Sequence, residues 1–248
     1  MYARAQEVLN VAAASADLPA PTPYDLDEHH ALATRIASEA ITLLRNEDDA
    51  LPLSSGTNVA LIGDLADTPR YQGAGSSQVN PTRLEAPREL LEAGGESARG
   101  LVLTGYAPGY ERHGGTSDAL IAEAVALAAR ADVALVYVGL DELAESEGLD
   151  RTHMRLPEGQ DRLVEAVVAT NPRTVVVLTG GASVEMPWAS SVPALVNGYL
   201  GGQGGAGAML DVLTGAVNPS GRRAETYARS LEDHPTAAWY PVTGPLSY

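Results

Sequence analysis

The sequence of 248 residues contains no cysteine, no phenylalanine and no lysine, so that all 16 of its basic residues are arginine. Without cysteine the chain cannot form a disulfide bond, use a thiol nucleophile or bind zinc through thiolates. The absence of lysine excludes a phosphate-binding loop of the kind that contacts phosphate through a lysine. No apolar run approaches the roughly 18 residues of a membrane span. Residues 1–10 also lack the apolar core of a signal peptide, which favours a cytoplasmic location.

Acidic residues outnumber basic ones by 32 to 16, and the net charge is −16. Nucleic acids and anionic membranes bind clustered Arg and Lys, so neither is expected as a partner. Hydrophobic residues make up 45% of the chain and charged residues 19%, proportions that are typical of a folded globular protein. The length suits one large domain or two small ones, with enough residues to bury a core.

Three regions are predicted along the chain. Residues 1–27 are expected to be the end of an interdomain helix followed by a linker that is rich in proline, with Pro19, Pro21 and Pro23. Residues 28–229 are expected to form the folded domain. Residues 230–248 show little periodicity and are expected to be a tail that leads toward a missing segment. This order suggests that the chain starts in the middle of a longer protein.

Candidate strands and helices alternate within the folded region. Unbroken apolar runs that are rich in β-branched residues predict strands buried on both faces, and helical segments of roughly 10 to 15 residues separate them. The predicted strands are 58–63, 100–104, 133–138, 174–179 and 194–200, and the predicted helices are 27–44, 84–93, 119–131, 157–170 and 206–213. The pattern predicts a three-layer α/β sandwich, in which helices cover both faces of a mainly parallel sheet of five or six strands.

An acidic loop, residues 140–151, directly follows the most apolar of these strands. It carries five acidic residues between positions 141 and 150. Repulsion between like charges is expected to raise the pKa of at least one of these carboxyl groups, and functional residues of open α/β folds gather beyond the carboxyl ends of strands. A solvated acidic loop without a function is the alternative interpretation.

Short motifs follow one another in a fixed order from about Leu26 to the C-terminus. They are Ser-Glu-Ala-Ile-Thr-Leu-Leu-Arg-Asn (38–46), Leu-Pro-Leu (51–53), Gly-Ala-Gly-Ser-Ser-Gln-Val (73–79), Glu-Gly-Leu-Asp-Arg (147–151), Leu-Pro-Glu-Gly-Gln (156–160), Asn-Pro (171–172), Met-Pro-Trp (186–188), Gly-Gly-Gln-Gly-Gly (201–205), Asp-Val-Leu-Thr-Gly (211–215), Asn-Pro-Ser-Gly-Arg (218–222) and Glu-Thr (225–226). Together they resemble the second, α/β-sandwich domain of glycoside hydrolase family 3, which includes many β-glucosidases and β-xylosidases.

The resemblance implies a retaining, exo-acting β-glycosidase, similar to a β-glucosidase, that hydrolyses O-glycosidic bonds with two carboxyl groups about 5 to 5.5 Å apart. The family's aspartate nucleophile belongs to a first (β/α)8 barrel domain, which this chain lacks. The partners implied are therefore a glycoside substrate and that barrel. No cofactor is implied, a homodimer is possible, and the chain alone is expected to be inactive.

The family's acid/base is the glutamate of a Glu-Gly-(aromatic)-Asp-Arg pattern, and this position falls on Glu147. Leu149 departs from the pattern because its position is often aromatic. Glu145 and Glu142 are rivals for the role, since the loop could adopt another register. The neighbouring Asp150 and Arg151 are expected to hold the loop by a salt bridge.

The Gly-Ser loop, residues 73–77, is the second predicted part of the site, and its Ser76 and Ser77 hydroxyls are expected to bind substrate. Arg70 and Tyr71 could line a leaving-group subsite. The alternative for the Gly-Ser loop is a flexible turn, and the alternative for Arg70 and Tyr71 is an ordinary position at the surface. No metal is expected, because the five histidines do not have the spacing of metal ligands.

Two further features are ambiguous in the sequence. Residues 202–207 match G-x-G-x-x-G, but no second strand leads to an acidic residue, so a tight strand-to-helix turn is favoured over a dinucleotide site. Trp188 is expected to pack between domains rather than to stack on a sugar. The competing function for the whole chain is a non-catalytic α/β domain that binds a small molecule or acts as a scaffold.

Overall fold

Six strands form one sheet in the computed structural model, which describes residues 2–16, 18–19, 23–114 and 117–237. The strands occur in the order β1-β6-β5-β4-β2-β3 across the sheet. Their bounds are β1 Thr42–Asn46, β2 Asn58–Ile62, β3 Val102–Ala107, β4 Val133–Gly139, β5 Thr174–Thr179 and β6 Ala194–Tyr199. All neighbouring strands are parallel except β1, which pairs antiparallel with β6. The prediction of a mainly parallel sheet of five or six strands is confirmed.

Helices cover both faces of this sheet. The helices of the described residues are α1 Tyr2–Ala16, α2 Leu26–Ala40, α3 Asp64–Asp67, α4 Pro87–Ala93, α5 Asp118–Ala128, α6 Glu158–Thr170 and α7 Gly205–Leu213, and a short 3-10 helix spans Leu231–Asp233. One group contains α5 and α6, and the other contains α2, α4 and α7, which pack on one another. The connection from β2 to β3 runs toward one edge of the sheet, and those from β3 to β4 and from β4 to β5 run toward the other edge. Because crossovers between parallel strands are right-handed, helices in connections of opposite direction lie on opposite faces. The three-layer α/β sandwich is thereby confirmed.

The core lies along the middle strands. All seven residues of β4 are buried, as are four of the five residues of β2. Their apolar, largely β-branched side chains face helices on both sides of the sheet, which explains why they form unbroken runs in the sequence. By contrast, α1 has no buried residue, and Tyr2, Val8, Leu9 and Val11 are all exposed on it.

The helix predicted for residues 27–44 is wrong in its second part. α2 ends at Ala40, and the residues that follow form the edge strand β1. The helix was predicted from an apolar stripe at helical spacing, formed by Leu32, Ile36, Ala40 and Leu43. Leu32 and Ile36 are exposed, while the buried residues of α2 are His30, Ala37 and Ser38. The helical spacing of Leu43 is therefore accidental, because β1 forms by pairing with β6, about 150 residues further along the chain.

The expected interdomain position of Trp188 is also wrong, because its side chain belongs to the core of this domain. The residue is 2% exposed, and its indole Nε1–H donates to Asp161 Oδ1 on α6 at 2.8 Å. Burial raises the pKa of Asp161, while the indole donor opposes that rise. No strand ends just before Trp188, since β5 stops at Thr179.

Parts of the predicted linker and tail lie outside the described residues, including Pro21, Trp239, Tyr240 and Tyr248. The proposed boundaries after residues 27 and 229 stay predictions. Among the residues that the structure describes, no helix is both long and apolar enough to cross a membrane.

Candidate active site

The acidic loop and the Gly-Ser loop meet at the switch point of the sheet. From β2 the chain moves to β3 at one edge and then returns to β4 on the other side of β2. The crevice between the carboxyl ends of two such strands is where ligands bind in open α/β folds. The Gly-Ser loop belongs to the segment that follows β2, and the acidic loop follows β4. An isolated parallel bridge between Ala74 and Ser146 joins the two loops directly.

Asp141 shapes the start of the acidic loop. Its buried carboxylate accepts hydrogen bonds from the backbone nitrogens of Leu143 at 3.0 Å and Ala144 at 2.7 Å. Its other oxygen lies 3.0 Å from Nδ1 of His113, which comes from the segment after β3. The first acidic residue of the loop therefore folds the backbone and is not free to act on a substrate.

Arg70 is buried against the acidic loop and binds its middle part. The residue is 6% exposed, and its guanidinium donates to the backbone oxygens of Leu140 at 3.1 Å and Glu145 at 3.0 Å. It also forms an ion pair with the Glu145 carboxylate, which in addition accepts a hydrogen bond from Gly181 N at 3.0 Å. The structure thus places Arg70 against the loop, and its predicted contact with substrate stays a prediction.

Glu142 is held in a second ion pair. Arg112 donates to both of its oxygens at 3.1 Å and to Asp64 Oδ2 at 2.6 Å. Burial opposes the ionisation of Glu142, but the hydrogen bonds and positive charge of Arg112 outweigh it and lower the pKa of Glu142. Glu142 and Glu145, the two alternatives to Glu147 as the acid/base, are therefore each ion-paired with an arginine.

Glu147 is exposed and its partner is a neutral residue. Oε2 accepts a hydrogen bond from the backbone nitrogen of Ser76 at 3.1 Å and a short one from the Ser76 hydroxyl. These two donors lower the pKa of Glu147, the hydroxyl contributing most. The rise in pKa expected from crowded acidic residues is therefore not found at Glu147, because donors at its carboxylate favour the charged form.

The remaining predicted site residues lie around this contact. Ser77 is exposed, and its hydroxyl is 3.5 Å from Ala74 O, at the outer limit of a hydrogen bond. Tyr71 is half-buried, and its backbone oxygen accepts from Gly202 N at 2.9 Å. Together with Arg70 it lines a cavity of about 40 Å³. That volume suits a few water molecules and not a sugar ring.

A larger cleft lies on the other side of the acidic loop. Its volume is about 490 Å³, within the range of small-molecule sites. The lining includes Leu143, Leu149, Arg151 and His153. Leu149 is 62% exposed and His153 is also exposed, so solvent reaches both residues at the edge of this cleft.

Arg151 secures the end of the loop through a backbone carbonyl. Its Nη1 donates to Ser183 O at 3.1 Å, while Nη2 is buried without a hydrogen-bond partner among the described residues. Burial lowers the pKa of Arg151, and the nearby charges of Glu145, Glu185 and Glu225 oppose that effect. The sequence predicted that Asp150 and Arg151 hold the loop by a salt bridge, and it gave no sign of the hydrogen bond from Arg151 to Ser183.

The side chain of Glu85 occupies the glycine-rich turn at the start of α7. Glu85 Oε2 accepts from Gly207 N in the first turn of α7 at 3.1 Å. Its Oε1 lies 2.8 Å from Nε2 of the buried His30. The N-terminus of a helix is the usual place for a pyrophosphate, and here the Glu85 carboxylate occupies it. The structural turn favoured from the sequence agrees with this geometry.

Comparisons with known proteins agree with one family. The family model described as the C-terminal domain of glycosyl hydrolase family 3 matches residues 41–245. The thermostable β-glucosidase B of Acetivibrio thermocellus is 48% identical over 220 residues, which cover 88% of this chain and 29% of that protein. An exo-α-(1→6)-L-arabinopyranosidase of Bifidobacterium breve is 38% identical over 229 residues, which cover 88% of this chain and 30% of that protein.

A solved structure shows the same likeness in three dimensions. The crystal structure of a family 3 β-glucosidase from Bifidobacterium adolescentis superimposes with a TM-score of 0.86 at 37% identity, and the match covers 96% of this chain and 34% of that one. The chain thus spans about a third of the length of these relatives. It belongs to glycoside hydrolase family 3 and corresponds to the C-terminal domain of that family.

Proposed function

We propose that this chain supplies the general acid/base, Glu147, to the active site of a retaining exo-glycosidase that resembles β-glucosidases. The observation that carries the proposal is the position of Glu147. It is an exposed carboxyl group at the switch point of the sheet, next to the Gly-Ser loop, within Glu-Gly-Leu-Asp-Arg. The site would be shared with a (β/α)8 barrel domain that carries the aspartate nucleophile.

The reaction needs one residue to act in both directions. In the first half, the nucleophile attacks the anomeric carbon while Glu147 gives its proton to the glycosidic oxygen, whose bond to that carbon breaks. In the second half, Glu147 takes a proton from water as the water oxygen attacks the same carbon and releases the nucleophile. The residue must therefore reach the leaving group and change its protonation state, which requires an accessible carboxyl group that is not ion-paired.

The contacts of the three candidate glutamates favour Glu147. Glu145 is paired with the buried Arg70, and Glu142 is paired with Arg112. Each of these two carboxylates is thus engaged by a guanidinium, and for Glu142 the pKa is lowered by Arg112 despite burial, which opposes a role as acid. Glu147 instead contacts a serine and is exposed, so a substrate and a second domain can raise its pKa by removing water.

The substrate is proposed to be a small glycoside that is cleaved from its non-reducing end. The glycosidic oxygen of the leaving group would lie at Glu147, and the cleft bordered by Leu149, two residues further along the loop, and by His153 would hold the far end of the leaving group. Ser77 stays a candidate for contact with the sugar, and Tyr71 for contact with the leaving group. Since one relative is a β-glucosidase and another an L-arabinopyranosidase, aryl β-glucosides and aryl α-L-arabinopyranosides are the substrates to test.

The test is a substitution in the complete enzyme that contains this chain and its barrel. Glu147→Ala should lower turnover by roughly 10²- to 10⁴-fold on substrates with poor leaving groups and much less on activated aryl glycosides. Added azide should restore part of the activity by replacing water as the nucleophile in the second half. The matched controls are Glu142→Gln and Glu145→Gln, which should not show this dependence on the leaving group. An equal loss on all substrates, without rescue by azide, would contradict the assignment.

A non-catalytic role is the second candidate, and one observation favours it. Ser76 lowers the pKa of Glu147, so in this chain the carboxyl group is set up as an anion and not as an acid. In an α/β domain that only binds a small molecule or acts as a scaffold, Glu147 would simply tie two loops together. Glu147→Ala would then leave turnover in the complete enzyme unchanged.

A further inference from the structure

The hydroxyl and the backbone nitrogen of Ser76 both reach one oxygen of Glu147. The hydroxyl donates to Oε2 in a short hydrogen bond, and the backbone nitrogen lies 3.1 Å from the same atom. A charged carboxylate oxygen accepts such bonds far better than a protonated one does. The contact therefore discriminates between the two protonation states of Glu147.

The backbone around Ser76 is arranged for this close approach. Gly75 has φ +87, and a Cβ atom there would lie 3.0 Å from Cβ and 3.1 Å from Oε2 of Glu147. The bridge between Ala74 and Ser146 aligns the two loops one residue earlier in each. Three consecutive residues of the Gly-Ser loop, Ala74 to Ser76, therefore meet Ser146 and Glu147 of the acidic loop.

Two charged residues of the acidic loop have partners elsewhere. Within the acidic loop, Glu145 faces Arg70, and Arg151 donates to Ser183. From the loop after β2, the groups that face Glu147 are the hydroxyl and backbone nitrogen of Ser76. Ser76 thus supplies the two donors that lower the pKa of Glu147.

We propose that Ser76 is a positioning residue for Glu147, which holds the carboxylate against the Gly-Ser loop and favours the ionised form that acts as base in the second half of the reaction. The inference rests on the proposed role of Glu147. It differs from the substrate-binding role that the sequence predicts for Ser76, because the hydroxyl is directed to a protein carboxylate and not toward the cleft.

The same contact has opposite effects on the two halves of the reaction. In the first half Glu147 must carry a proton, and donors at Oε2 oppose this state. In the second half the ionised carboxylate must take a proton from water, and Ser76 holds it ready. Removing the hydroxyl should therefore slow the second half, because the carboxylate is no longer held in place, and extend the first half to higher pH, because the proton is held more tightly.

The direct experiment is a pH titration of the chain of 248 residues by carboxyl ¹³C NMR, with Glu147→Gln to assign the signal. In the wild type, Glu147 should titrate below the ordinary value for glutamate, about 4.3. Ser76→Ala should shift the titration to higher pH, because one donor to the charged form is lost. Ser76→Thr, which keeps a hydroxyl, should restore the wild-type position, and Ser77→Ala, one residue away, should not move it.

Ser76→Gly removes the same hydroxyl and serves as a second variant if Ser76→Ala does not fold. Folding is checked by the amide spectrum of the core strands. The proposal is overturned if both hydroxyl-free variants titrate like the wild type, or if Ser77→Ala shifts the signal as much as Ser76→Ala does.

Kinetics of the complete enzyme separate this inference from the proposed function. With activated aryl glycosides, where the second half limits turnover, Ser76→Ala should lower kcat about three- to tenfold. This is less than the full ratio for a hydrogen bond to a charged group, because the backbone nitrogen of Ser76 still donates to the carboxylate. The alkaline limit of kcat/KM should move to higher pH, and Ser76→Thr should reverse both changes. If Glu147→Ala leaves turnover intact, the proposed function fails, while the NMR titration still decides whether Ser76 controls the carboxylate.

Discussion

Gly75 has no Cβ atom, and this allows the Gly-Ser loop to approach the acidic loop closely. Gly75 combines a left-handed backbone, φ +87, with only 3.0 Å between its ideal Cβ position and Cβ of Glu147. Any side chain at this position would strain the backbone and push the acidic loop away. The orientation of Glu147 thus depends on a residue that makes no chemical contribution of its own.

We expect Gly75→Ala to lower the free energy of unfolding by about 1–2 kcal/mol, the cost of a left-handed conformation for a residue with a Cβ atom. It should also raise the pKa of Glu147, because the contact with Ser76 is displaced. Urea unfolding and the carboxyl NMR titration measure the two effects.

The matched control is Gly56→Ala. Gly56 has a similar φ, +84, but nothing lies within 4 Å of its ideal Cβ position. It should show the same loss of stability without a change at Glu147. Equal titration of Glu147 in both variants would contradict a role for close approach at Gly75.

Only part of the candidate site could be predicted from the sequence. Glu147 was found because its neighbours form a recognisable local motif. The contact with Ser76 joins residues 71 positions apart, and it depends on the strand order that brings the loops after β2 and β4 together. Arg70 was expected to face a substrate, yet it is buried beneath the acidic loop, because nothing in its local sequence tells which side of the loop it occupies.

At the level of elements, Glu85 joins two helices that are far apart in sequence. One oxygen contacts His30 on α2 at 2.8 Å, and the other accepts from Gly207 N on α7 at 3.1 Å. Gln203 Nε2 lies 2.9 Å from His30 Nδ1 and donates to it, which leaves the Nε2–H of His30 to donate to Glu85. Since Gly204 provides no side-chain cap for α7, the Glu85 carboxylate takes that role.

Glu85→Ala should lower the free energy of unfolding by about 1–3 kcal/mol, because it leaves a helix N–H and a buried histidine without their acceptor. Urea unfolding followed by circular dichroism measures the loss. Glu123→Ala, on the exposed face of α5, is the control, and it should change the free energy of unfolding by less than about 0.5 kcal/mol. A loss no larger than that of the control would show that α7 does not depend on this carboxylate.

The elements differ in how well local sequence defines them. β4 and β5 were predicted closely, because strands buried on both faces are apolar at nearly every position. β1 was assigned to a helix, since a half-buried edge strand carries a weaker pattern and forms only when β6 is present to pair with it. Trp188 was misplaced for a similar reason, as its partner Asp161 lies on α6, 27 residues earlier.

At the scale of the whole molecule, the proposed site is open on the side of Glu147. A general acid works best when burial raises its pKa toward the pH of the reaction. In this chain Glu147 is exposed and its pKa is lowered by Ser76. The chain also spans about a third of the length of its relatives. A second surface must therefore cover Glu147 if it is to donate a proton near neutral pH.

We therefore expect the purified chain to hydrolyse neither aryl β-glucosides nor aryl α-L-arabinopyranosides, and activity to appear when it is mixed with a separately produced barrel domain. Hydrolysis of an activated aryl glycoside measures the gain, and size-exclusion chromatography measures association. Glu147→Gln in the added chain should reduce the activity on poor leaving groups, whereas Glu123→Gln should not. Turnover by the chain alone would contradict the shared site. Stable association without activity would support the scaffold role instead, because Glu147 would then be covered but unused.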